Sequence, residues 1–178
     1  NVEEAMERLI ADGVKEVVVQ PTHVMAGFEY DDVVKEVSKY EGKFDSLKIS
    51  NPICVDDADY NALVKVLIEE TAQYNVEGTA VVFMGHGTHH EANATYATLE
   101  NKLHEAGYTN YFIGTVEGAP LIDEVIESVK ATDTTKVTLL PLMIVAGDHA
   151  NNDMAGDEED SWKTAFVNAG YEVECVLN

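Results

Sequence analysis

His86, Glu117 and His149 follow one another at intervals of about 30 residues, the length of one strand–helix repeat, and each stands just after an apolar, β-branched run. An imidazole offers a lone pair near neutral pH and a carboxylate offers charge. Two His and one Glu meeting at a point would therefore bind a borderline divalent cation such as cobalt(II), nickel(II), iron(II) or zinc(II). Three protein donors leave coordination positions open, as a reactive site requires, whereas a chain with 2 Cys cannot build a closed four-cysteine site.

Each of these residues also has an ordinary role open to it. His86 lies between Gly85 and Gly87, and Gly-His-Gly alone marks no more than a tight turn. Glu117 and Glu29 both suit the first turn of a helix, where a carboxylate is favoured. His149 taken singly reads as a loop residue. His23 follows the first strand, His89 and His90 form a local cluster with His86, and His104 reads as a helix-surface residue. No phosphate loop, dinucleotide fingerprint or nucleophile elbow is present, so no nucleotide cofactor is expected.

What must position these side chains is a chain whose apolar period keeps switching between strand and helix. Residues 2–11 read as a helix stopped by Gly13, 14–20 as a strand ended by Pro21, and the spacing of Tyr30, Val33, Val34, Val37 and Tyr40 as a helix. A short strand at 47–50 and a helix capped by Asp56 or Asp57 follow. Strands are then expected at 79–84, 111–116, 137–145 and 171–176. The helices between them end near Gly107, start near Pro120 and start near Asp160 or Ser161. The alternation implies an α/β fold of two similar halves, each a mostly parallel sheet flanked by helices. Residues 1–76 would be the remainder of an N-terminal half, and 77–178 the C-terminal half with most of the metal site. Because the first half begins with a helix, a further strand–helix unit is expected ahead of Asn1, and a further segment beyond the C-terminus. Ligands of such sheets bind beyond the carboxyl ends of the strands, where His23, His86, Glu117 and His149 all fall.

Composition narrows the partners. The chain has 178 residues, 46% of them hydrophobic, enough for a core without disulfides. With Lys and Arg totalling 11 against 33 Asp and Glu, the formal net charge is −22, which repels nucleic acid and anionic membranes. Cys54 and Cys175 read as small apolar residues. No run is long enough to span a bilayer, so a cytoplasmic location is expected, with export left open by a chain that does not begin at Met.

The segments around the candidate donors carry a resemblance. Val82-Phe83-Met84-Gly85-His86-Gly87 with His89-His90, and Leu140-Pro141-Leu142-Met143 leading to Val145-Ala146-Gly147-Asp148-His149-Ala150, resemble the two histidine segments of the anaerobic sirohydrochlorin cobaltochelatases, class II tetrapyrrole chelatases. Asn152-Asp153-Met154-Ala155, Asp160-Ser161-Trp162-Lys163, Val116-Glu117-Gly118 and Gly27-Phe28-Glu29-Tyr30 fit the same pattern. The resemblance implies His86 and His149 as metal ligands and proton acceptors, Glu117 as third ligand, and Glu29 as an accessory acid–base or substrate-facing group. Gly85, Gly87, His89 and His23 would face the substrate. It implies ATP-independent insertion of cobalt(II), as substrate, into sirohydrochlorin on the anaerobic route to cobalamin, by a protein that often assembles into homo-oligomers. Nickel, iron or zinc as the metal remain alternatives, as does a non-catalytic tetrapyrrole- or metal-binding protein.

Overall fold

Asn1 opens the first helix because its side-chain oxygen accepts the Glu4 amide at 2.9 Å, satisfying a donor that a helix start leaves unpaired. In the computed structural model, which describes residues 1–177, the order is α1 (Val2–Ala11), β1 (Glu16–Val19), α2 (Phe28–Ser38), β2 (Ser46–Ile49), α3 (Asp57–Thr71), β3 (Thr79–Gly85), α4 (Ala94–Glu105), β4 (Tyr111–Thr115), α5 (Ile122–Lys130), β5 (Lys136–Pro141), α6 (Trp162–Asn168) and β6 (Glu172–Cys175). The expected alternation of strand and helix is present throughout. Among the described residues, no helix is long and apolar enough to cross a membrane.

Residues 1–56 form one compact unit, and the residues from Asp57 onward form a second. This boundary lies ahead of the junction read at 75–78. The reason is that α3 packs along α4: Tyr60 Oη lies 3.0 Å from Thr95 Oγ1, and Lys102 bonds both Asp57 and Asn61. In the first unit β1 and β2 pair in parallel, Val17 opposite Leu47 and Val19 opposite Ile49. Met6, Val37 and Tyr40 form its core, joined by Leu9, Val33 and Phe44.

The second unit holds a four-stranded parallel sheet in the order β4-β3-β5-β6. All seven residues of β3 are buried. Side chains alternate between faces. Ala80, Val82 and Met84 thus join Val125, Ile126 and Val129 of α5 with Trp162 and Phe166 of α6. Val81 and Phe83, also buried, serve the other face, where Phe83 meets Tyr111 with ring centroids 6.1 Å apart.

Three sequence readings are corrected. The strand expected over 137–145 stops at Pro141, which brings no N–H of its own, with one further bond to β3 made by the Leu142 amide. Ile144 and Val145 lie beyond it, 56% and 75% exposed. Pro120 precedes α5 rather than entering it; its carbonyl accepts the Thr115 amide at 2.8 Å, closing a turn back onto β4. His104 is not a surface residue but half-buried, its Nε2 donating to the Tyr111 carbonyl at 2.7 Å.

One turn away on α4, the Glu100 carboxylate accepts the Ile113 amide at 2.6 Å. Glu100 and His104 together satisfy backbone groups on the outer side of β4, the edge of the sheet. Burial pushes the Glu100 carboxyl above its ordinary range, opposed by the Ile113 bond. The folded state then holds this proton more tightly than the unfolded state. The stability contribution of Glu100 is therefore largest below its unfolded value and falls as pH rises through the raised folded value. Glu100→Gln keeps an acceptor without the charge, so urea denaturation should show a flatter pH dependence and stability at pH 8 no lower than wild type. Glu100→Ala, which orphans the buried Ile113 amide, should cost about 1–3 kcal/mol. A Gln variant less stable than wild type at pH 8 would contradict this ordering of effects.

Candidate metal centre

β3 and β5 are neighbours although α4, β4 and α5 lie between them in sequence. The chain leaves β3 towards one edge of the sheet and returns on its other side. At such a switch point the loops beyond the strand ends diverge and leave a crevice open to ligands. The β3–β4 ladder continues past the strands themselves. The Val116 amide donates to the Gly85 carbonyl at 3.1 Å, and the Glu117 amide to the His86 carbonyl at 2.9 Å. His86 and Glu117 are thereby held in register as if on adjacent strands. On the other side the Leu142 amide donates to Met84 at 2.8 Å, after which the chain runs to His149.

The three sequence-predicted donors come together. Side-chain donor atoms of His86, Glu117 and His149 all lie within 4.8 Å of one another. The two imidazoles stand edge to face, centroids 4.6 Å apart and planes at 84°. One ion with bonds of about 2.1 Å needs donors no more than about 4.2 Å apart, so a side-chain adjustment of about half an ångström closes the set. His86 and Glu117 are exposed and His149 half-buried, which leaves open positions for an incoming ligand. The net charge of −22 favours a cation here over an anion.

Both ring tautomers follow from their neighbours. His86 Nδ1 lies 2.9 Å from the Gly87 carbonyl, which can only accept, so the proton is on Nδ1 and Nε2 carries the lone pair. His149 Nδ1 is bonded to the Asp153 carboxylate, which orders its Nε2 in the same way. Asp153 reaches His149 because residues Ala150–Met154 form a π-helical turn; the Ala155 amide bonds back to Ala150 at 3.2 Å.

The glycines beside His86 are required by contact. A Cβ on Gly85 would lie 2.2 Å from the Tyr96 ring, and one on Gly87, at φ +85°, would lie 2.4 Å from the Gly118 amide nitrogen. Tyr96 Oη in turn accepts the Gly87 amide at 3.2 Å, and burial pushes its phenol pKa up against the backbone bonds it receives. His89 is exposed on the same loop. His90 caps the turn over Glu91–Asn93, its Nδ1 accepting the Ala92 amide at 3.0 Å. His23 and Glu29 belong to the first unit: Glu29 is exposed in the first turn of α2, while His23 meets Tyr30 edge-on at 6.4 Å and has a buried Nδ1 with no hydrogen-bond partner among the described residues.

Sequence reasoning missed Asp153, Tyr96 and Asn93 as parts of the site. Asp153 had a signal, four residues after His149 in a helical stretch. Tyr96 and Asn93 had none, since each acts through a contact between loops. Replacing Asp153 by Ala frees the His149 ring to rotate. Titration calorimetry with cobalt(II) should then show affinity lowered by about 10–100-fold relative to wild type; unchanged affinity would remove Asp153 from the site.

The whole chain, residues 1–178, matches the family described as cobalt chelatase (CbiK). It is 38% identical over 167 residues to the sirohydrochlorin cobaltochelatase of Salmonella typhimurium, covering 94% of this chain and 62% of that protein. It is 29% identical over 168 residues to the sirohydrochlorin cobaltochelatase CbiKC of Nitratidesulfovibrio vulgaris, covering 93% of this chain and 59% of the relative. The chain thus spans about three fifths of the length of these curated relatives. By a match along its full length, the chain belongs to the cobalt chelatase (CbiK) family.

Proposed function

We propose that this chain carries the metal-holding part of a sirohydrochlorin cobaltochelatase, which inserts cobalt(II) into the tetrapyrrole without a nucleotide. The observation that carries the reading is the convergence of His86, Glu117 and His149 at the sheet's switch point in a member of this family. Residues 77–178 would supply the ligands.

The reaction exchanges one divalent cation for two pyrrole N–H protons. The two Nε2 lone pairs and the Glu117 carboxylate hold the ion, and its remaining positions exchange water for pyrrole nitrogens. As the ion leaves, each freed Nε2 becomes a base for one departing proton. Two imidazolium charges then replace the two charges of the metal, so the site's net charge is unchanged across the exchange. The Asp153 carboxylate stabilises the imidazolium at His149. Gly85 and Gly87, lacking side chains, let Tyr96 and the Gly118 backbone pack beneath the loop, so that His86, with His89 on the same loop, is left to face a flat ring.

The test is anaerobic absorbance of sirohydrochlorin mixed with cobalt(II), using wild type, His86→Ala and His149→Ala. Wild type should accelerate metallation over the protein-free rate, and each variant should lose at least about 100-fold of that acceleration. Greater acceleration with nickel(II) or iron(II) would change the metal, because His and Glu donors do not by themselves choose among these ions. Tight tetrapyrrole binding with no acceleration by any of them would leave a binding protein and reject the enzyme.

A further inference from the structure

Asn93 ends the turn that precedes α4, and its amide group faces two loops at once. Its Oδ1 accepts the Thr88 amide at 3.1 Å, on the loop that carries His86. Its Nδ2 donates to the Ala119 carbonyl at 2.7 Å, on the loop that carries Glu117. Each bond lands two residues past a metal donor. No slack is left between the loops. A Cβ on Gly118 would lie 2.3 Å from Asn93 Oδ1 and 3.0 Å from the Thr88 nitrogen. The Gly118 amide is itself turned inward, donating to Thr115 Oγ1 at 3.1 Å. The ladder bonds from Val116 and Glu117 fix the two loops where they leave the sheet; Asn93 fixes them again on the far side of the donors.

We propose that Asn93 is a positioning residue that sets the separation of His86 and Glu117, and with it the affinity and coordination geometry of the bound divalent ion. The proposal rests on the reading of His86, Glu117 and His149 as a metal site, but not on turnover. An amide side chain is required because the clasp needs one acceptor and one donor on the same carbon. A carboxylate of the same shape keeps the acceptor for Thr88 and sets a negative oxygen against the Ala119 carbonyl.

The experiment is cobalt(II) binding to the whole chain without tetrapyrrole, followed by calorimetry and by the visible ligand-field bands of cobalt. Wild type, Asn93→Ala and Asn93→Asp are compared, with folding checked by circular dichroism. Folded variants should bind cobalt about tenfold or more weakly, with band positions and intensities shifted, a change that loss of stability alone does not produce. If Asn93→Ala does not fold, the isosteric Asn93→Asp decides. Wild-type affinity and wild-type bands in either folded variant would overturn the proposal. A wild-type chain that binds cobalt yet shows no metallation would reject only the chelatase reading, and one that binds no cobalt would overturn both.

Discussion

β3 is hemmed in on every side: strands pair with both of its edges and both of its faces are buried. Such a strand can present a functional group only at its exit. The arrangement of the rim follows from how that exit is filled. The Tyr96 ring occupies the space where a side chain at 85 would be, Gly87 turns the backbone through a left-handed conformation, and His86 is the one side chain between them free to face the crevice. Hydrogen-bonded register, once set in the sheet, carries into the loop and delivers Glu117 beside His86, while β5 releases the chain that runs on to His149.

The chemistry rests on acceptors that commit their other atoms. Each imidazole has its Nδ1 proton engaged, one by a backbone carbonyl and one by a carboxylate, so that both rings keep a lone pair on Nε2. On the proposed reading, two neutral rings and one carboxylate would hold a divalent ion with one net positive charge left at the site.

Much of this was legible in the sequence, for identifiable reasons. Buried parallel strands read as unbroken β-branched runs, so 79–84 and 111–116 were visible as strands, and the repeat length between His86, Glu117 and His149 pointed to one rim. The strand at 137–145 was overextended because the apolar run Leu142, Met143, Ile144 and Val145 outweighed the single Pro141, at which the strand stops. The grouping of α3 with the second unit was hidden, since the Tyr60–Thr95 and Lys102–Asp57 contacts join residues distant in sequence. Tyr96 and Asn93 were illegible for the same reason. A buried tyrosine in a helix and an asparagine at its start are common, and only the folded chain shows what they touch.

Helix α4 serves two ends of the second unit at once. Its first turns, with Asn93 just ahead of them and Tyr96 within, brace the donor loops; one face further along, Glu100 and His104 close the rim of the sheet at β4. Fraying of this one helix would loosen the grip on the ion and uncover a strand able to recruit another chain. On the proposed reading, ion retention and protection of the sheet edge would both depend on this one helix, and a bound ion, by holding the loops that α4 contacts, would also guard an edge that it never touches.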